Sequence, residues 1–269
     1  MEVVRGDYFL LNRSFLQTHQ IDDYLQEKSI QVYEVLRVIN FKIAFLDDHI
    51  ERLKSSILGV GRQIPDESIA HLDTDIKNLV AKNNFSEGNI KILLQFFENE
   101  ENVFIYFIPH SYPSESDYEK GVEVGLYESV RKNPNIKAVS SVREEINSLL
   151  KRKNLYELLL VNDNEEVTEG SRTNVFFIDS ENNVVSAPDE VVLKGITRKY
   201  AIQICDQEKI PLLFKNVKVN ELENYQSAFL TGTSPKILPI KKIENITFDV
   251  DSPILEKIMK GYGSIFVSG

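Results

Sequence analysis

The chain has 269 residues, 42% of them hydrophobic, and a formal net charge of −10 at pH 7. A surface with this excess of negative charge repels phosphate backbones and anionic lipids, so we expect neither a nucleic-acid nor a membrane partner. The apolar content suits one large or two modest globular units. The single cysteine, Cys205, excludes an internal disulfide and a cysteine zinc cluster. We therefore expect a soluble protein of the reducing cytoplasm without a metal site.

Apolar periodicity in the first 110 residues predicts strands and helices. Residues 31–45 are β-branched and apolar, which predicts a hairpin with its turn at Asn40-Phe41-Lys42. Residues 46–58 predict a helix, Pro65 opens another, and residues 89–97 and 102–109 predict a strand pair. The polar segment 111–118 contains Pro and Ser and has no periodicity. It predicts a linker between domains at residues 1–110 and 119–269.

The second part of the chain mixes the same elements. Strands are predicted at 122–127, 157–161, 174–178, 184–186, 212–217 and 227–231, and helices at 142–153 and 197–208. Strands with interspersed helices predict an α+β fold.

Three segments of this part combine small residues with hydroxyl or carboxylate groups. Glu169-Gly170-Ser171-Arg172-Thr173-Asn174 leads into an apolar run, and Leu193-Lys194-Gly195-Ile196-Thr197 precedes a predicted helix. Thr231-Gly232-Thr233-Ser234-Pro235-Lys236 follows a predicted strand. Turns of this kind bind phosphate through backbone N–H groups and hydroxyls.

These motifs resemble those of the class IV (fold type IV) pyridoxal phosphate enzymes, which include branched-chain aminotransferases, D-amino acid aminotransferases and aminodeoxychorismate lyases. The resemblance begins at Tyr33-Glu34-Val35-Leu36-Arg37 and continues through His49-Ile50-Glu51-Arg52-Leu53 to the segment 231–239. It implies a small N-terminal α/β domain, a larger barrel-like C-terminal α/β domain and pyridoxal 5'-phosphate as cofactor. It also implies a homodimer, and we expect the apolar segments 9–11 and 103–108 to pair across a two-fold axis.

The resemblance also implies roles for individual residues. Lys137, which precedes Glu169 by 32 residues, would hold the cofactor as a Schiff base, although the family's Lys-x-x-Asn pattern reads Lys137-Ala138-Val139-Ser140. Glu169 would keep the proton on the ring nitrogen. The other cofactor-binding positions would be Arg52, Leu193, Gly195, Ile196, Thr197 and Thr233. The alternatives are a solvated surface lysine, an exposed turn glutamate, and an arginine paired with Asp48 on the helix surface.

Substrate recognition departs from the family pattern. The Arg-x-His and Arg-Pro pairs that relatives carry before the linker are not matched, because Ile108 occupies the arginine position while His110 is retained. The candidate substrate-binding residues are Tyr33, His110, Arg143 and Lys236.

The resemblance implies an aminotransferase that moves an amino group between an amino acid and a 2-oxo acid. Two alternatives stay open: a lyase of the aminodeoxychorismate type, and a module that keeps the fold but has lost turnover.

Overall fold

A computed structural model of the chain describes residues 3–25, 29–63, 69–98, 100–129, 136–137 and 143–268. They form two compact units. The first runs to Ser111 and also includes Ile136 and Lys137, and the second begins at Tyr112. The α+β class predicted from the sequence is confirmed.

The first unit contains, among its described residues, an antiparallel sheet of six strands in the order β2-β1-β6-β5-β3-β4. The strands are β1 (Arg5–Leu11), β2 (Ser14–Gln17), β3 (Ile30–Ile39), β4 (Lys42–Ile43), β5 (Glu87–Phe96) and β6 (Glu101–Ile108). The predicted hairpin and strand pair are confirmed. In the turn between β3 and β4, Asn40 and Phe41 have φ of 49° and 65°, the left-handed conformation of a two-residue type I′ turn.

The helices described in this unit are α1 (Ile21–Tyr24), α2 (Leu46–Gly59) and α3 (Leu72–Asn83). The predicted helix over 46–58 is confirmed as α2, which buries Leu53 and Ile57 and exposes Glu51 and Lys54. Each fully buried side chain of this size contributes roughly 1.5–3 kcal/mol of hydrophobic stabilisation. The predicted helix start at Pro65 lies outside the described residues.

The two faces of this sheet have different neighbours. Alternate residues such as Val32, Ile90 and Ile92 pack in one apolar cluster with α2 and α3. Tyr33 and Tyr106 belong to a second cluster on the other face. Because side chains alternate along a strand, Lys91 of β5 and Arg37 of β3 also project to this second face.

The second unit contains one sheet of ten strands among its described residues, in the order β12-β11-β10-β14-β15-β7-β8-β9-β13, with β16 paired to β15. The strands are β7 (Val122–Glu128), β8 (Glu157–Val161), β9 (Glu166–Gly170), β10 (Asn174–Asp179), β11 (Val184–Ser186), β12 (Leu212–Phe214), β13 (Val217–Lys218), β14 (Tyr225–Gly232), β15 (Lys236–Ile243) and β16 (Ile246–Thr247). Strand β7 is parallel to both β8 and β15, whereas β9, β10 and β14 pair antiparallel with their neighbours. The sheet curls into a half-barrel, in agreement with the barrel-like domain that the resemblance implies.

The helices described in this unit are α4 (Glu115–Lys120), α5 (Arg143–Lys153), α6 (Ile196–Gln207) and α7 (Pro253–Ser268). Helices α5 and α6 confirm the predictions for 142–153 and 197–208, apart from Val142, which lies outside the described residues. Cys205 is buried in α6. None of the helices among the described residues has the length and apolar character needed to cross a membrane.

Several features differ from the sequence-based expectations. Strands β9 and β15 and helix α7 were not predicted, and α4 begins inside the segment 111–118. Lys137 lies outside the helices and strands that the structure describes. The segments expected to pair two chains are largely buried within the first unit: Phe9, Phe104 and Tyr106 are each fully buried in the single chain. That choice of dimer surface was therefore wrong.

Candidate active site

Glu169 is a buried carboxylate near the end of β9, with 2% of its surface exposed. Its Oε2 accepts hydrogen bonds from the backbone N–H of Leu193 at 3.0 Å and from Nδ2 of Asn174 at 3.3 Å. The same Nδ2 donates to the carbonyl oxygen of Leu193 at 2.8 Å. The three residues therefore hold one another in place, and the alternative of an exposed turn glutamate is wrong.

The N-terminus of α6 lies beside this group. Gly195 is the N-cap residue and offers no side-chain cap. A Cβ atom at Gly195 would lie 2.1 Å from Oδ1 of Asn174, so the close approach requires glycine. The first-turn N–H groups of Ile196 and Thr197 and the helix dipole together favour an anion at this position.

The turn between β14 and β15 is adjacent to the same residues. Thr231 pairs with Asn174 across β14 and β10, and Gly232 pairs with Lys236 across the turn. Lys236 has φ of 56°, in the left-handed region. The buried hydroxyl of Thr231 has no hydrogen-bond partner among the described residues. Thr233, in the turn itself, is half-buried.

In the first unit, a second buried carboxylate binds two basic side chains. Oε1 and Oε2 of Glu34 accept hydrogen bonds from Nε and Nη2 of Arg52 at 2.8 Å and 2.6 Å. Nδ1 of His49 lies 2.9 Å from Oε2 of Glu34. Burial alone would raise the pKa of Glu34, but the charge and hydrogen bonds of Arg52, with the hydrogen bond of His49, lower it to about 2. Burial lowers the pKa of His49, and its Nδ1–H donates to the carboxylate.

Lys137 lies beside Tyr33 of β3. The N–H of Tyr33 donates to the carbonyl oxygen of Lys137 at 3.0 Å, and the N–H of Lys137 donates to Oγ of Ser56 at 3.4 Å. Nζ of Lys137 is 5.1 Å from the centroid of the Tyr33 ring. Nζ of Lys91 is 5.4 Å from the same centroid and 5.7 Å from that of Tyr106. Two ammonium groups therefore share one aromatic ring, which attracts cations through its π face.

A family model described as amino-transferase class IV matches residues 31–243. The chain belongs to the class IV aminotransferase family. This family is pyridoxal phosphate-dependent, so the predicted family and cofactor are confirmed.

Two similar proteins are enzymes of this family. The chain is 28% identical over 240 residues to a probable branched-chain-amino-acid aminotransferase of Thermotoga maritima, covering 87% of this chain and 85% of that protein. It is 27% identical over 262 residues to a D-alanine aminotransferase of Listeria monocytogenes, covering 88% of each.

Solved structures share the fold. The branched-chain aminotransferase of Escherichia coli superposes with a TM-score of 0.84 at 18% identity, covering 97% of this chain and 95% of that one. A hypothetical aminotransferase of Mycobacterium tuberculosis in its PLP-bound form gives 0.81 at 15% identity, with 97% and 99% covered. A putative 4-amino-4-deoxychorismate lyase of Legionella pneumophila gives 0.75 at 23% identity, with 88% and 91% covered.

The structure places the predicted residues of this class IV protein in two groups. Glu169, Leu193, Gly195, Ile196 and Thr197 come together in the second unit, with Thr233 in the neighbouring turn. Arg52, Tyr33 and Lys137 belong to the first unit. Arg52 is not the surface arginine of the alternative prediction, because its side chain is 10% exposed and forks onto Glu34.

The substrate-binding candidates belong to both units. Nδ1 of His110 is 3.1 Å from Nη1 of Arg5, and burial together with the charge of Arg5 lowers the pKa of His110. Nζ of Lys236 lies 4.3 Å from the ring centroid of Phe266. The side chain of Arg143 lies outside the described part of the chain.

Sequence reasoning missed several buried charged residues next to predicted ones, among them Glu34, Lys91 and Glu157. Glu34 and Lys91 are 0% and 3% exposed, and Glu157 at the start of β8 is 0% exposed. Glu34 lies in the segment Tyr33-Glu34-Val35-Leu36-Arg37, so the sequence showed its charge but did not show which residues bind it. Lys91 is the one charged residue in the run Asn89-Ile90-Lys91-Ile92-Leu93-Leu94, and a charge in such a run could have identified it.

Proposed function

We propose that the chain is a pyridoxal phosphate-dependent aminotransferase that moves an amino group between an amino acid and a 2-oxo acid, with Lys137 and Glu169 as catalytic residues. The arrangement of Glu169, Leu193 and Asn174 beside Gly195 carries the proposal. It combines a buried carboxylate, which suits a cationic ring nitrogen, with a helix N-terminus, which suits a phosphate. The class IV family and its aminotransferase members support this activity.

The residues present fit the cofactor. The glycine at 195 leaves space that a Cβ atom would fill, directly before the N–H groups of α6. The hydroxyl of Thr231 has no partner within the described residues and could be satisfied by a bound group. We propose that Ile196, Thr197, Thr233 and Arg52 hold the phosphate, and that Leu193 packs on the ring.

Bound pyridoxal phosphate supplies an aldehyde that receives the amino group and a ring that takes up electrons from the substrate's α-carbon. Nζ of Lys137 would hold the cofactor and then carry the α-proton between carbon atoms. Glu169 would keep a proton on the ring nitrogen, since Leu193 and Asn174 fix the orientation of its carboxylate. The fork onto Glu34 fixes the orientation of the Arg52 guanidinium.

We further propose that Lys91 binds the carboxylate of the substrate, with Tyr33 lining the same pocket. Lys91 is 3% exposed and shares the Tyr33 ring with Lys137. Every amino acid carries a carboxylate next to the carbon that bears its amino group, so a cation near Lys137 suits such substrates. His110, Arg143 and Lys236 remain predictions for substrate contacts.

Reduction with borohydride tests the assignment of Lys137. The purified protein should be yellow, and reduction should fix a pyridoxyl group on the peptide that contains Lys137. Lys137→Ala should not form the adduct. The matched control is Lys82→Ala, at an exposed lysine of α3, and it should still form the adduct. An adduct on another lysine would overturn the assignment.

An aminodeoxychorismate lyase is the second candidate, and the likeness to the putative lyase of Legionella pneumophila favours it. Release of pyruvate from aminodeoxychorismate, with no reaction of L-leucine, D-alanine or other amino acids, would decide for the lyase. Cofactor binding without either reaction would instead indicate a module that has lost turnover.

We also propose a homodimer in the cytoplasm. The proposal of a dimer rests on family membership. The proposal of a cytoplasmic location rests on the single cysteine, Cys205, which is buried and unpaired with another cysteine. Light scattering on dilute, cofactor-loaded protein should give the mass of two chains, and a fully active monomer would contradict this. Cell fractionation should recover the protein with the cytoplasmic contents.

A further inference from the structure

The turn that joins β9 to β10 is built around Glu157, a residue from the neighbouring strand β8. Glu157 is fully buried. Its Oε1 accepts hydrogen bonds from Oγ of Ser171 at 2.5 Å and from the backbone N–H of Leu158 at 2.9 Å. Its Oε2 accepts from the backbone N–H of Arg172 and from Oγ1 of Thr173, both at 3.2 Å. One carboxylate thus binds three consecutive residues of the turn.

The backbone of the turn is adapted to this carboxylate. A Cβ atom at Gly170 would lie 2.1 Å from Oγ1 of Thr173 and 3.1 Å from Cγ of Glu157. Glycine is therefore required if Thr173 is to reach the carboxylate. The N–H of Gly170 donates to the carbonyl oxygen of Thr173 at 2.8 Å, and that of Ser171 donates to Leu158 at 2.9 Å.

Glu169 and Asn174 stand at the two ends of the same turn, and they hydrogen-bond to each other and to Leu193. A change in the turn would therefore move the two side chains relative to each other. We infer that Glu157 is a positioning residue, which holds the turn 170–173 and through it sets the orientation of Glu169. This inference rests on the proposed role of Glu169 and adds a residue that does not touch the cofactor.

The consequence is a specific energetic coupling. Residues that act through a shared structure show non-additive effects when both are changed. If Glu157 acts by placing Glu169, replacing Glu157 should slow the reaction in the parent protein, where Glu169 can bind the ring proton. The same replacement should change the rate little in a variant whose residue 169 cannot bind that proton. A role in general stability would lower activity by the same factor in both backgrounds.

The variant Glu157→Gln keeps the shape but replaces one acceptor oxygen by a donor, which would face N–H or O–H groups of the turn. Glu166→Gln is the matched control. It lies on the same β8–β9 hairpin, where its Oε2 accepts from Nδ2 of Asn162 at 2.9 Å in the opposite turn. The assay is the single-turnover rate with whichever of D-alanine or L-leucine reacts with the parent holoenzyme.

We expect Glu157→Gln to slow this rate by about 10-fold or more in the parent and by less than about 2-fold in the Glu169→Gln background. Glu166→Gln should stay within about 2-fold in both. Equal slowing by Glu157→Gln in the two backgrounds, or no slowing in the parent, would overturn the inference. A parental rate for Glu169→Gln alone would contradict the role of Glu169 itself, and the inference with it.

A second readout does not depend on turnover. The pH midpoint of the bound cofactor's absorption band should move in the same direction in Glu157→Gln and Glu169→Gln, and should not move in Glu166→Gln. Should Glu157→Gln fail to fold, Ser171→Ala and Thr173→Val each remove one donor and keep the carboxylate. Both should give a smaller shift of the same sign, and an unshifted band in both would count against the inference.

Discussion

Each of the two units buries a carboxylate next to predicted site residues, but the partners of the two carboxylates differ. Glu34 binds the guanidinium of Arg52 and the ring of His49. Glu157 binds hydroxyls and backbone N–H groups, and Nε of Arg172, on a side chain that is 53% exposed, lies 4.0 Å from its Oε2. One carboxylate is held by charge and the other by neutral donors.

The difference teaches what each carboxylate can do. A buried charge pair fixes a cation in one orientation, and losing one partner leaves the other charge buried and uncompensated. Neutral donors hold a backbone turn in shape. The Glu34–Arg52 pair therefore suits a residue that binds phosphate, as proposed for Arg52. The hydroxyl and N–H donors around Glu157 suit a turn that supports a catalytic carboxylate.

Glu34→Gln should produce the largest change in stability. The variant leaves the guanidinium of Arg52 without its counter-charge. The free energy of unfolding should therefore fall by about 3–5 kcal/mol. Urea unfolding of the apoprotein measures it. Glu256→Gln is the control, because Glu256 pairs with Lys260 on the surface of α7 with 64% of its side chain exposed, and it should change stability by less than about 1 kcal/mol. Equal effects of the two variants would contradict this assignment.

Glu169→Gln should produce the largest change in turnover. A neutral amide cannot hold the ring proton, and removing one such interaction costs about 10²–10³-fold in kcat. The variant should still bind the cofactor, and kcat should fall far more than KM rises. Steady-state kinetics on the loaded variant measures this, and a parental kcat would show that Glu169 does not act on the ring.

Acid should weaken the Glu34 network selectively. The pKa of Glu34 is lowered from 4.5 to about 2, so its stabilisation is present above pH 4.5 and is lost as pH falls through 2. The shift corresponds to about 3 kcal/mol. The lowered pKa of His49 acts in the same direction, since the unfolded chain binds its proton first. Urea unfolding from pH 7 to pH 2.5 should show a shallower loss in Glu34→Gln than in the parent; parallel curves would contradict it.

The sequence predicted the parts of the fold and of the candidate site that depend on local order. The turn around Glu169, the glycine before α6 and the hairpin at Asn40 are short segments whose residue types report their own backbone. Helix α7 also had a local signal, Pro253 at its start with Leu255, Ile258 and Tyr262 at helical spacing, which the sequence-based assignment did not use.

Partners distant in sequence could not be predicted in this way. Glu157 binds residues 14 to 16 positions away, and Glu34 binds residues 15 and 18 positions away. Pairing of β8 with β9 brings the groups around Glu157 together, and packing of α2 against β3 brings those around Glu34 together. In the sequence, Glu34 interrupts the apolar residues of β3 and Glu157 begins β8, and neither position reveals which residues bind the carboxylate.

Lys91→Met should produce the smallest and most specific effect, and it extends the comparison to a cation of the first unit. Methionine keeps the unbranched shape and most of the length of the side chain and removes the charge, so the variant should bind cofactor normally but bind carboxylate substrates more weakly. Loss of a hydrogen bond to a charged group costs about 1.5–3 kcal/mol, which is roughly a 10- to 150-fold rise in KM.

D-alanine or L-leucine should show this rise, whereas ethylamine or 3-methylbutylamine, which lack the carboxylate, should not. Lys82→Met is the control, because Nζ of Lys82 lies 4.6 Å from the ring centroid of Tyr8 in a comparable cation–π contact. If amines and amino acids lose affinity equally in Lys91→Met, the lysine supports the pocket's shape and does not bind the carboxylate.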